Sequence, residues 1–374
     1  MEGSDKQLFR TNLVDKYFGL ISFSEHIRKY YEGRAVLITG GAGAIGSNLT
    51  IALSLLVGKT GKIIVLDNLS AVKDRIPWNV PEFENVLFVE GDIRKEADLK
   101  RVFKEKPTIV FHLAAFFANQ RSVDYPEASA FTDVIGLIRL LEICSLAKIE
   151  KFVYASSGCA IYGSYPDLPV KEDFVSLKLT SPYQINKMTG EMYCNFFYHQ
   201  HELPSVNCRF FNSYGPGEVS GQYRNVIPNF IYWSLANQSL PITGTGEETR
   251  DFTYVLDLVQ GLVKSGYYAQ AVGNNFNLAA GKEQKIKEIG DLVNELTGND
   301  APHVHRHKRK WDTKSRMWAS IDKARELIDY NPIVDLKDGV KDNITWFKLY
   351  RDEIVRSSDF PPGISAALTN KLNR

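Results

Sequence analysis

From Ala35 onward, short apolar runs alternate with longer stretches in which apolar residues recur every three or four positions. AVLIT leads into SNLTIALSLL, KIIVLD and VLFVEGD follow, IVFHLAA precedes a helical stretch from Ala128 to Ala147, and KFVYASS comes next. Runs this short and without polar alternation suit strands buried on both faces, so the pattern predicts repeated β-α-β units in an α/β, doubly wound parallel sheet. After NCRFFNSYGPG the rhythm loosens into Gly and Pro clusters, a helical run around NVIPNFIYWSLANQ and a helix-rich end. We therefore expect a main domain over 35–208 and a smaller mixed α/β C-terminal domain over 209–374, with segments near 250–262 returning to the first. Residues 1–34 form an N-terminal extension whose apolar residues Leu13, Val14, Phe18, Ile21, Phe23 and Ile27 predict short helices. Pro361-Pro362 marks a stop before a polar tail.

Charge narrows the choice of partners. The 374 residues carry 45 Lys plus Arg against 44 Asp plus Glu. No global field is available to gather nucleic acid or an anionic membrane, so neither is expected as a partner, and any anionic ligand must be held locally. The polar start MEGSDKQLFR does not read as a signal peptide, and no long apolar stretch is present, which points to a cytoplasmic protein. Cys144, Cys159, Cys194 and Cys208 lack zinc-site spacing and are too few for a disulfide framework, so they are expected as thiols.

The first chemical motif is Thr39-Gly40-Gly41-Ala42-Gly43-Ala44-Ile45-Gly46, which follows a strand and opens a helix. Glycines there allow a tight turn, let backbone approach a pyrophosphate, and leave helix N-terminal N–H groups free to meet negative charge. Asp67, 21 residues beyond Gly46, ends KIIVLD where a carboxylate accepts from both ribose hydroxyls and repels a 2′-phosphate. The predicted cofactor is NAD rather than NADP, on a Rossmann-type sheet.

Further motifs appear in a telling order: GDIR at 91–94, HLAA at 112–115, FVYASS at 152–157, SPYQINK at 181–187, RFFNSYGPG at 209–217 and RDFTYVLD at 250–257. In this the chain resembles the extended short-chain dehydrogenase/reductase family, most closely its NAD-dependent nucleotide-sugar epimerase/dehydratase group, from about Ala35 to about residue 350. The resemblance implies that Gly40, Gly43, Ala44, Ile45, Gly46, Asp67, Asn68, Asp92, Ile93, Leu113, Ala114 and Ala115 line the dinucleotide. It also implies that Tyr183 and Lys187 form the catalytic pair. Spacing agrees, since i and i+4 share one helix face. Out of context such a pair is ordinarily a solvated surface pair; within this order of motifs it is not.

A free tyrosine has a pKa of about 10, so a phenolate near neutral pH needs roughly 4 kcal/mol of help, which Lys187 and an oxidised nicotinamide would supply. Counted along KFVYASS, Ser157 is the third group on the reacting hydroxyl. Gly158 and Cys159 follow it where similar dehydratases carry Asp and Glu, which disfavours dehydration and decarboxylation. The Ser-Gly-Cys run resembles the loop of GDP-mannose 3,5-epimerase. Two readings of Cys159 stand: an acid/base for C5 or C3/C5 epimerisation or an unusual dehydration, or a small packed residue. Epimerisation at C4 needs only Ser157, Tyr183, Lys187 and NAD and is preferred by economy. A catalytically idle nucleotide-sugar binding protein is the other alternative, opposed by the intact Tyr183 and Lys187.

By the same resemblance, Asn212, Arg250 and Arg316 contact the diphosphate of the substrate, with Lys310 a competitor for Arg316. Asp133 stands where relatives carry Asn, and an Asp accepts where the amide donates. His303, His305 and His307 alternate like exposed strand residues without a carboxylate partner, so no metal is proposed. Helical segments 131–147 and 183–201 carry apolar residues that relatives bury between subunits, which predicts a homodimer.

Overall fold

The computed structural model describes residues 3–21, 23–164 and 167–360; the polar tail expected after Pro361-Pro362 lies outside them. The apolar runs form β1 (Ala35–Thr39), β2 (Lys62–Asp67), β3 (Val86–Glu90), β4 (Ile109–His112) and β5 (Lys151–Ser157). Beside them lie β6 (Ser205–Phe210) and a seventh strand, Asn275–Leu278. All seven are parallel, in the order seventh strand, β6, β5, β4, β1, β2, β3. Chain order reverses between β1 and β4, and such a switch opens a crevice at the carboxyl ends of the strands.

Burial on both faces follows from the pleat. Leu37, Ile64, Val110 and Phe152 point to one side, into a cluster with Leu99, Leu140 and Cys144. Their neighbours Val36, Ile63, Ile109 and Val153 point to the other, into a cluster with Leu49 and Leu53 of α3 (Ala44–Val57) and with Leu258 and Leu262. Because successive strand residues serve opposite faces, each strand must be apolar throughout. The helical stretch expected over 128–147 widens into a π-helix at Phe131–Gly136 before continuing as the α-helix Leu137–Leu146.

The N-terminal extension is helical, but its first helix is not short. α1 spans Gly3–Ile21, 19 residues, and α2 spans Glu25–Tyr31, capped by the Ser24 side chain. Phe18 meets Phe23 edge to face at 4.7 Å. The Tyr17 hydroxyl donates to Asp257 at 2.5 Å, and that of Tyr31 donates to the Val263 carbonyl at 2.7 Å. Both acceptors lie on the helix Val255–Tyr267, which also packs on α3.

Beyond β6, the helices Val226–Leu235 and Ile286–Thr297 pack together, and strand Pro241–Thr243 pairs with Val304–Arg306. One expectation fails here. His303 does have a carboxylate partner, with Nε2 at 2.8 Å from Asp291 on the helix Ile286–Thr297. The two residues lie 12 apart in sequence, Asp291 within the helix and His303 just ahead of the strand. Cys144, Cys159, Cys194 and Cys208 are all free, and no described helix is long and apolar enough to cross a membrane.

Candidate functional site

β1 delivers the chain into a turn that only glycine can make. Gly40 has φ +75°, and a Cβ there would lie 2.6 Å from the Ala114 nitrogen. A Cβ on Gly46 would lie 2.3 Å from the Gly40 carbonyl oxygen, so the loop and the first turn of α3 press together without side chains between them. Gly43 caps α3 and contributes no side chain to the cap, leaving the helix N-terminus open to an anion. At the end of β2, Asp67 accepts from Ala42 N–H at 3.0 Å and from Leu69 N–H at 2.8 Å. Burial pushes its carboxyl up from the usual range, opposed by backbone donors at Leu69, Ala42 and Asn68.

A cleft of about 1490 Å³ opens over this loop. Single small-molecule sites run to roughly 1,000 Å³, so this one has room for a dinucleotide and a second ligand. Gly40, Gly43, Ala44, Ile45, Gly46, Asp67, Asn68, Ile93, Leu113, Ala114 and Ala115 all line it. Asp92 does not share that wall. Its carboxylate turns away to the Arg94 guanidinium and to the Asn68 amide, 2.9 Å off. Burial alone would raise its pKa, but those donors carry it down to about 2. The glycine cradle, the exposed helix start and a carboxylate on β2 together fit an NAD molecule.

Across the cleft, β5 ends in Ser157 and the helix Pro182–His201 carries Tyr183 and Lys187 one turn apart. All three line the cleft. Lys187 Nζ donates to the Ala155 carbonyl at 2.7 Å and lies 5.7 Å from the centre of the Tyr183 ring. The phenol hydrogen-bonds Ser157. The expected lowering of the tyrosine is not what the chain alone produces. Burial first, then the charge of Asp133, hold Tyr183 above its ordinary value, and the Ser157 hydrogen bond opposes them. Lys187 is itself pulled down by burial, with Asp133 resisting.

Asp133 sits in the π-helix, buried, and behaves as the acceptor its chemistry dictates. It takes Phe116 N–H at 2.6 Å, the Ser129 hydroxyl at 3.1 Å and the Asn186 amide at 3.5 Å. Three donors converge where a neutral amide would have had to offer N–H groups of its own.

The far wall is cationic. Arg250 lines it, but its guanidinium pairs with Asp312 at 2.8 Å. Asn212 lines it too, its amide donating to Cys159 Sγ at 3.3 Å and to the Asp251 carbonyl at 3.0 Å. Arg316 is placed elsewhere than expected. It forms a two-pronged pair with Glu283 on the surface and is absent from the cleft lining. Lys314, two residues earlier, takes the inward place and donates to the Cys159 carbonyl. Burial, helped by Arg250, lowers Lys314 to about 8. Lys310 stays out while Arg309 and Trp311 line the cleft. Trp311 straps this segment to the other wall: its Nε1 donates to Gln120 at 2.8 Å and its carbonyl accepts from Thr180 at 2.8 Å.

Lys314, Arg309, Trp311 and Gln120 are among the cleft residues that sequence reasoning passed over. The only sequence signal for the first three was a basic run, and such a run ordinarily reads as a solvated face. Cys159 is brought beside Lys314 and Asn212, yet burial pushes its thiol up from the ordinary value, only partly opposed by Lys314.

Comparison with known proteins agrees with this geometry. Residues 36–279 match the NAD dependent epimerase/dehydratase family. A UDP-glucose 4-epimerase of Mycolicibacterium smegmatis is 32% identical over 83% of this chain and 98% of its own length. Among solved structures, an epimerase of the methanogen Methanothermobacter thermautotrophicus superposes with a TM-score of 0.86 at 48% identity, over 90% of this chain and 98% of that one. A UDP-glucuronic acid 4-epimerase of Bacillus cereus, in complex with UDP-glucuronic acid and NAD, gives 0.76 at 27% identity, over 84% and 99%. The loop, the carboxylate on β2, the paired tyrosine and lysine, and the match across most of the chain agree: this protein belongs to the NAD-dependent epimerase/dehydratase family.

Proposed function

We infer that the protein is an NAD-dependent nucleotide-sugar epimerase that inverts C4 of an NDP-hexose or NDP-uronate through a transient 4-keto sugar. The observation that carries this is the convergence of Ser157, Tyr183 and Lys187 on the cleft above the glycine loop, with Gly158 and Cys159 where an acidic pair would be needed for elimination. Tyr183 would take the C4 hydroxyl proton, Ser157 would hold that hydroxyl through a hydrogen bond, and Lys187 would place an ammonium charge near the phenol. When bound, oxidised NAD supplies a hydride acceptor and a positive ring beside the phenol. Burial of Tyr183 strengthens the effect of any such charge, since a low local dielectric screens it little.

Asp67 would accept from the ribose hydroxyls of NAD, and the Gly40–Gly46 loop would cradle its pyrophosphate. The nucleotide-sugar would lie against residues of the 209–374 unit, its diphosphate near Asn212, Arg250 and Lys314. The names of the relatives described above support uridine diphosphate as the nucleotide. Phe131, Ile135, Ile185, Met192 and Phe196 are large apolar residues left exposed on the two helical segments 131–147 and 183–201. They support a homodimer formed through that face, which light scattering at micromolar concentration would test. Four free cysteines suit a reducing compartment and a cytoplasmic location.

C5 or C3/C5 chemistry, or dehydration, through Cys159 finds no support, since burial pushes the thiol up from its ordinary value and two of the relatives described above are named as 4-epimerases. Incubation with a panel of NDP-sugars in deuterated water tests the proposal by NMR. Inversion at C4 without deuterium at C3 or C5 is expected; ring deuterium would overturn it, and saturable binding without any product would leave the idle binding protein.

A further inference from the structure

Arg10, on α1, is buried to about 5% exposure, yet among the described residues it has no carboxylate partner. Its Nη1 donates to the side-chain and backbone oxygens of Asn79 at 2.7 and 3.2 Å, and Nη2 donates to Ser47 Oγ at 2.8 Å. Nε finds no partner at all. The other deeply buried arginine, Arg209, shows what the fold does elsewhere, pairing with Glu191 at 2.8 Å. A buried charge left without a counter-ion is costly, so a structure that keeps one has a use for it.

The neighbours of Arg10 identify the use. Ser47 lies in the first turn of α3, bonded back to Gly43 and Ala44. Asn79 donates to the Ala42 carbonyl of the glycine loop at 3.1 Å and to the Gly217 carbonyl at 3.0 Å. The Ala42 peptide is thereby gripped from both sides, its N–H by Asp67 and its carbonyl by Asn79. Gly217, with φ +104°, packs against α3 so closely that a Cβ would come within 3.0 Å of the Ala44 carbonyl.

We propose that Arg10 is a positioning residue for the cofactor: α1 sets a fixed positive charge behind the first turn of α3, and the NAD pyrophosphate is its missing counter-ion. This rests on the placement of NAD at Gly40–Gly46 proposed above. It makes residues 3–21, which lie outside the family match, part of the dinucleotide site. Burial lowers the guanidinium to about 10, which leaves it charged at neutral pH.

Arg10→Met removes the charge while keeping the buried stem, and Arg10→Lys keeps the charge while losing the forked hydrogen bonds. NAD affinity, read by titration of nucleotide-stripped protein, is expected to fall about tenfold in Arg10→Met and to recover most of that in Arg10→Lys. Without NAD, Arg10→Met should unfold at the same or a higher temperature than the parent. With saturating NAD it should unfold at a lower one, because the anion no longer has a charge to meet. A purely structural arginine would lower both temperatures, and that result, or an Arg10→Met protein that fails to fold, overturns the proposal. So does Arg10→Lys binding NAD as poorly as Arg10→Met. A parent that binds no NAD would remove the cofactor placement and this inference with it; a parent that binds while Arg10→Met binds equally well removes this inference alone.

Discussion

The cofactor wall of the cleft draws its groups from the carboxyl ends of adjacent strands, and much of what it presents is backbone. The Gly40–Gly46 turn, the start of α3 and the Leu113–Ala115 edge all lie within about 80 residues of sequence. The opposite wall presents side chains, several of them cations, drawn from segments such as 159, 212, 250 and 309–314. A wall made mostly of backbone has few titratable groups to tune, Asp67 being the exception, and little room for substitution. A side-chain wall tolerates exchange but answers to pH and to charge.

The largest expected effect falls where the walls meet. Tyr183→Phe should lower kcat by about 10³ with little change in binding, a loss within the usual range for removing a positioned acid/base. An unchanged kcat would mean that neither wall is arranged around the phenol. On the cofactor wall, Gly46→Val should cost at least about 100-fold in NAD affinity, because a Cβ 2.3 Å from the Gly40 carbonyl must push the loop off α3. Nucleotide released from the purified variant and counted by chromatography reads this directly. If Gly46→Val retains NAD, the wall is softer than its backbone geometry implies.

The side-chain wall should respond to proton concentration. Lys314, drawn down to about 8, is mostly charged at pH 7 and mostly neutral at pH 9. Anion binding favours the charged form, so affinity is present below pH 8 and is lost as the pH rises through it. UDP binding to the NAD-loaded protein, measured by calorimetry, should weaken about fivefold from pH 7 to 9. Lys314→Arg should flatten that profile; a profile as steep as the parent's would exclude Lys314 as the responsible cation. The smallest effect belongs to Cys159→Ala. Its thiol is held protonated and packed, so turnover should stay within about twofold, as befits replacement of a small buried residue by one of similar size.

The two walls also differ in how far they could be read from residue order. The glycine turn, Asp67 and the Tyr183/Lys187 spacing are local patterns, fixed by turn geometry and helix periodicity. The five apolar runs up to KFVYASS became strands for the same reason. The seventh strand escaped notice because NFNL interleaves asparagines with its two apolar residues, and pairing with β6 rather than its own pattern makes it a strand. Lys314 and Arg316 could not be told apart in sequence. Glu283 draws one to the surface while the Cys159 carbonyl draws the other inward, and both partners are remote in sequence. The upward shift of Tyr183 was hidden likewise, since it needs the burial and the Asp133 charge that only the packed helix supplies.

The contacts of α1 reach very different distances along the polypeptide. Tyr17 meets Asp257, 240 positions later, and Lys6 meets Glu353, 347 positions later. Arg10 of the same helix, by contrast, meets Ser47 and Asn79, only 37 and 69 positions on. One helix is thus moored twice, to near neighbours through Arg10 and to remote ones through Tyr17 and Lys6, so that it couples the glycine loop to the far end of the fold.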